Sequence, residues 1–205
     1  MKRFMLVIAL SAIVGTRAAA QVRFEIAPTV GGYLPTTDLV GGEVVIGNTV
    51  LNARIHQAAA ALIGGRATVW ASKFGIEASI LYSPSHLIQE VSPGGGFDDD
   101  RAWVTFSSVR AVVALPFPDR RAVLTLSAGG GMVRRSGNGW SNIDTGMMDV
   151  LGVVGAGVRL RAGGPFTLRI DIDDHVSNAQ VDDFSARLQN DFTLSAGLGV
   201  SLFGQ

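Results

Sequence analysis

The stretch Asp173-Asp-His-Val-Ser-Asn-Ala-Gln180 carries the residue types most suited to chemistry. A histidine two residues before a serine is the raw material of nucleophilic catalysis, because an imidazole within reach of a hydroxyl takes its proton. The same residues also suit the polar lip of a strand. On a strand, positions i and i+2 share a face. His175 and Ser177 therefore point wherever Asp171 and Asp173 point, and the orientation of that strand decides between the two readings.

Three other groups of residues invite chemical readings and are weaker. Gly155 and Gly157 begin a dinucleotide-type Gly-x-Gly-x-x-Gly, but position 160 is Leu and no helical pattern follows, so they read as small residues on a strand. Asp98, Asp99 and Asp100 after the glycines 94–96 are of the type that holds calcium, yet they form a single copy without a calcium-loop repeat and read as a solvated loop. His56, His86 and His175 lie far apart with no ligand spacing. No metal or cofactor is expected.

The elements that must position these residues show a period of two. Phe166, Leu168, Ile170 and Ile172 alternate with Thr167, Arg169, Asp171 and Asp173, a separation that only a strand achieves. Phe192 to Leu202 repeats it, as does Phe74 to Tyr82. Softer alternation covers 22–33, 58–71, 101–115, 123–134 and 150–161, with Phe106 and Val112 blurring the phase of 101–115. That makes eight strands. Ser72-Lys73, the Pro116 to Arg121 turn and the Ala162 to Pro165 turn are short, whereas about 24, 17, 15 and 15 residues follow Tyr33, Ser83, Arg134 and His175. Alternating short turns and long loops predict an all-β, eight-stranded antiparallel up-and-down transmembrane β-barrel. The aromatics sort by strand end: Phe24, Phe74, Phe117, Phe166 and Phe203 at one, and Tyr33, Tyr82, Trp103 and Phe192 at the other, as at two headgroup boundaries.

The start of the chain agrees. Lys2 and Arg3 precede an apolar run from Phe4 to Gly15 and then Ala18, Ala19 and Ala20, which is a secretory signal peptide over 1–20 with a mature barrel domain over 21–205. There is no Cys, so neither disulfides nor a lipid-modified cysteine is available. Removing Lys2, Arg3 and Arg17 from 17 basic residues leaves 14 against 17 acidic ones, and a net charge near −3 gives no footprint for nucleic acid.

The mature chain resembles the small eight-stranded outer-membrane barrels, the class of the OmpA membrane domain. Its last strand is similar to that family's assembly signal, with Ser195, Gly197, Val200 and Leu202 at the motif positions, although Gly204-Gln205 follow Phe203. The resemblance implies an outer-membrane location, periplasmic termini, long loops outside, and lipid, lipopolysaccharide and the barrel-assembly machinery as partners. His-x-Ser-Asn-Ala resembles in turn the motif of the lipid A deacylases. That likeness would make His175 the base and Ser177 the nucleophile, with Asp183 or Asp191 in place of the missing downstream glutamate.

If the apolar set faces lipid, the other set faces the lumen: Glu25, Arg66, Glu77, Arg110, Arg159, Arg169, Asp171 and Asp173. Four acids against four arginines imply ion pairs between strands, with glycines leaving room for the long arginines. Eight strands enclose just enough space for side chains, so a plugged lumen is expected in preference to a narrow pore. His175 and Ser177 continue the inward set, and a deacylase would have to show them to lipid. The expected role is thus structural or surface-interactive and not enzymatic. The ligand of the loops is not named by the sequence. Val44 to Ile46 suggest an extra hairpin in the first loop, and Trp140 with Met147-Met148 suggest apolar contact points in the third.

Overall fold

A segment such as Phe166 to Asp173 can keep its isoleucines away from its aspartates only by extending, and the structure extends it. The computed structural model describes residues 22–38, 40–46, 49–92, 97–118, 121–141, 148–179 and 187–203. The expected signal peptide, Gln21, the glycines 94–96, Met147 and Asp183 lie outside them. In chain order the strands are β1 (Val22–Pro35), β2 (Val40–Ile46), β3 (Thr49–Gln57), β4 (Ala60–Ala71), β5 (Phe74–Ser83), β6 (His86–Ser92), β7 (Phe97–Arg101), β8 (Trp103–Pro116), β9 (Ala122–Ser136), β10 (Met148–Gly163), β11 (Phe166–Ala179) and β12 (Arg187–Phe203). One helical turn, α1 (Asn138–Ser141), follows β9.

Eight of these strands close a barrel in the order β1-β12-β11-β10-β9-β8-β5-β4, every neighbour antiparallel. Closure by β1 against β12 leaves no barrel edge with unpaired backbone groups, which a hydrocarbon surrounding would not tolerate. Three short connections gather at one end. Ser72 adopts a positive φ of 60° in the first, and Gly163 and Gly164 adopt 103° and 57° in the last, a conformation glycine enters freely.

The phase expected from the sequence holds on every barrel strand. On β11, Ile170 and Ile172 are 53% and 50% exposed while Asp171 and Asp173 are 5% and 2% exposed. Ile26, Val30, Ile63, Ile76, Ile80, Val109, Leu126, Val154, Leu194 and Leu198 join them on the outside, a girdle suited to hydrocarbon and not to water. On β9 the outward residues change from Met132 to Arg134, which marks the upper limit of the girdle. Phe74, Phe117 and Phe166 are exposed at the short-turn end. At the other end Tyr82 and Trp103 meet edge to face with centroids 6.5 Å apart.

Four expectations are corrected. Tyr33 does not belong to the outer aromatic ring: it is fully buried, on the inward face that Glu25 and Thr29 begin. Phe106 and Val112 do not blur β8 but point inward with Ser108 and Arg110, and they looked anomalous because the lumen is not polar throughout. The second long connection is not a loop: β6 and β7 form a hairpin, so Asp98, Asp99 and Asp100 sit in a strand paired with Gln89, Ile88 and Leu87. That hairpin joins the β2–β3 hairpin, which contains Val44 to Ile46, in a second sheet of order β2-β3-β6-β7. Trp140 is no exposed contact point: it is buried in α1, which packs on β7 and β9, whereas Met148 is exposed.

Placing a charge on the girdle tests the phase. Ile170→Arg, with the protein folded in lipid vesicles, is expected to lose about 2–4 kcal/mol in a urea titration. Equal stability of variant and parent would mean that Ile170 faces water and not hydrocarbon.

Candidate functional site

Inside the barrel, inward positions on six strands bring charges together. Glu77 of β5 is the hub. Its carboxylate accepts from Arg110 Nε and Nη2 at 3.0 and 2.7 Å, Arg169 Nη1 at 2.8 Å, Arg66 Nη1 and Arg159 Nη2 at 3.3 Å each, and the Thr68 hydroxyl at 2.7 Å. Arg66 Nη2 and Arg110 Nη1 both also donate to Asp173. Arg159 Nη1 donates to Glu25 at 2.6 Å, and Arg169 clamps Asp171 two residues along its own strand, Nε to Oδ2 at 2.7 Å and Nη2 to Oδ1 at 2.9 Å. The eight residues singled out in the sequence thus form one connected, charge-neutral, buried network.

The glycines beside it serve the carboxylates more than the arginines. A Cβ on Gly155 would stand 2.1 Å from Asp173 Oδ1, and one on Gly157 would stand 2.4 Å from Asp171 Oδ1. Of the assembly-motif positions, Ser195 faces inward and accepts from Arg66 Nη2 at 3.1 Å, and Gly197 lies beside Arg169. Val200 and Leu202 face outward.

Two further layers close the lumen toward the long loops. Leu62, Leu81, Val104, Phe106, Val133, Leu151 and Val153 form a buried apolar plug with the ring of Tyr33. Above it, Arg135 Nη2 donates to Gln189 at 2.9 Å and Asp191 at 3.1 Å, and Arg135 Nη1 pairs with Asp149 at 3.0 Å. The Tyr33 hydroxyl donates to Asp191 at 2.8 Å, and Gln57 Nε2 to the Ala102 carbonyl at 3.0 Å. Arg135, Asp149, Gln57 and Gln189 escaped sequence reasoning because they lie where apolar alternation fades and the chain reads as loop. Their signal was parity: Arg135 keeps the phase of Thr125 and Ser127.

His175 and Ser177 enter these upper layers, both buried in the lumen. The imidazole stacks on Phe106 with centroids 4.4 Å apart and has Nε2 3.4 Å from the Thr193 hydroxyl. Ser177 Oγ accepts from Arg135 Nη2 at 3.4 Å. Among the described residues no hydrogen bond joins His175 to Ser177, and neither reaches the girdle where a lipid substrate would lie. The pair therefore gives the deacylase reading no geometry to work with. The stacked layers of buried side chains likewise lend a pore no support. Among the described residues no three His, Cys, Asp or Glu side chains converge as a metal site, and no helix is long and apolar enough to cross a membrane.

No protein-family description and no curated protein matches the chain by sequence. Solved structures do match by shape. Neisserial surface protein A superposes with a TM-score of 0.56 at 11% identity, covering 87% of this chain and 96% of that one. The attachment invasion locus protein Ail of Yersinia pestis, solved with the heparin analogue sucrose octasulfate, gives 0.41 at 13% identity over 86% and 98%. The chain has the fold of the small eight-stranded outer-membrane barrels. Strand number, closure and antiparallel order all agree.

Neutrality makes the hub sensitive. Glu77→Gln leaves four arginines facing three acids and is expected to cost about 3–5 kcal/mol, the usual penalty for unpairing a buried charge. Gly155→Ala forces a methyl against Asp173 and is expected to cost about 1–3 kcal/mol. Urea unfolding in lipid vesicles measures both, and a Glu77→Gln variant as stable as the parent would mean that the arginines do not depend on that carboxylate.

Proposed function

We propose that this chain is an outer-membrane protein, exported by the signal peptide of residues 1–20, whose barrel holds a surface-interaction module and neither conducts nor catalyses. The observation that carries this reading is the second sheet. Four strands, β2-β3-β6-β7, stand at the long-loop end as paired structure in place of free loops, above a lumen closed by three layers of side chains. A rigid platform on a sealed anchor suits contact with other molecules. In this reading the short turns and both termini face the periplasm, and the sheet faces the outside. The girdle meets membrane lipid, and Arg134, outward just above Met132, meets the anionic headgroups of lipopolysaccharide. Ser195, Gly197, Val200 and Leu202 serve recognition by the barrel-assembly machinery, for which the outward Val200 and Leu202 are accessible.

Two tags test the orientation, and one excision tests the role. An epitope inserted after Ile46 is expected to be labelled on intact cells, and one in the Ser72-Lys73 turn only after the outer membrane is breached. Replacing Val40–Gln57 and His86–Arg101 by short linkers is expected to leave a folded barrel while abolishing binding of the cells to host-cell or matrix surfaces. Unchanged binding by that variant would refute the interaction role, and the reverse labelling pattern would refute the orientation.

A further inference from the structure

The short-turn end of the lumen holds a feature that the charge network does not explain. A cavity of about 170 Å³ opens there, with Arg23, Lys73, Arg159 and Arg161 in its wall against the single acid Glu25. Arg159 is already committed to Glu25 and Glu77. Arg23, Lys73 and Arg161 have no acidic partner among the described residues, so the wall carries three uncompensated cations. Its floor is the buried indole of Trp70, which lies under the Arg159 guanidinium at 4.6 Å from its ring centroid, with Arg23 at 5.7 Å. Gly75 makes that floor: a Cβ there would stand 2.9 Å from the indole ring.

The residues of the wall also carry buried polar atoms without partners. Trp70 Nε1, Arg23 Nε and Arg159 Nε are buried without an acceptor, and Glu25 Oε2 is buried without a donor, all on residues lining one cavity. A buried donor left unpaired is costly, and such groups ordinarily have a partner. Cations gathered around one cavity suit a compact oxyanion bearing several acceptor oxygens, because charge-assisted hydrogen bonds from arginine are the strong ones.

We propose that this cavity is a phosphate-binding site, taking the group either free in solution or as the headgroup of a phospholipid. The exposed rings of Phe74, Phe117 and Phe166 set this end of the barrel at a headgroup boundary, where both sources are at hand. The site is separate from the second sheet, at the opposite end of the molecule, and does not depend on which end faces the periplasm.

Titration calorimetry on the full barrel in dodecyl maltoside, a detergent without phosphate, tests it with two probes: inorganic phosphate, and dihexanoyl phosphatidylglycerol below its micellar concentration. Saturable binding is expected, weakened about tenfold or more in the Lys73→Gln/Arg161→Gln double variant and in Arg23→Gln, which lie outside the Glu77 network. Circular dichroism establishes that the variants are folded. Binding of inorganic phosphate identifies a soluble oxyanion as sufficient, and binding of the lipid alone identifies the headgroup. Absence of saturable binding by both probes, or binding that these variants leave unchanged, overturns the proposal.

Discussion

Glu77 sits where four guanidinium groups converge, and most of the lumen is arranged around that convergence. A charge inside a protein wall that is itself wrapped in hydrocarbon has no water to fall back on, so each arginine must find its anion within the barrel. Counting alone is not enough. Glu25, Asp171 and Asp173 take up the donors that Glu77 leaves, and Gly155 and Gly157 leave the two aspartates room to approach. Substituting one member therefore disturbs charges on several strands at once, which sets this cluster apart from a collection of separate salt bridges.

The two layers above follow from the same constraint. Once the charges are satisfied within one band, the remaining length of the lumen can be closed by ordinary packing, and the Phe106 layer does so. The Arg135 cluster then restores polarity where the strands rise above the girdle. Each layer has its own means of excluding water: an ion-pair network, apolar contacts, then a smaller cluster of ion pairs and hydrogen bonds around Arg135.

The phase of the strands was legible because a girdle facing hydrocarbon and a charged lumen impose opposite demands on adjacent residues. Phe166 to Asp173 shows both demands without exception, and all eight residues of the Glu77 network could be named from it and its counterparts. Where the two faces make similar demands, the pattern falls silent. Val112 is apolar on the inside between Ala111 and Val113, and Phe106 is apolar on the inside between Thr105 and Ser107, so alternation fades at one position and inverts at the other while the strand continues. Beyond the girdle no face is lipid-exposed, and β6 and β7 accordingly read as loop although they pair residue for residue. The basic cavity over Trp70 was hidden for a different reason. Arg23, Lys73 and Arg161 come from three distant segments, and only closure of the barrel brings them to one mouth.

That closure has a consequence for how the chain comes together. Glu25 and Arg159 are 134 residues apart, Arg66 and Asp173 are 107, and Arg169 and Glu77 are 92. No hairpin built alone can pair these charges, because their partners arrive on strands from the other half of the chain. A partly assembled sheet would present bare arginines and carboxylates to lipid, whereas the complete cylinder presents none. Contacts this remote in sequence repay their cost only when the last strand docks. The network therefore couples the two halves of the chain, penalising intermediates that stop short and making insertion close to all-or-none.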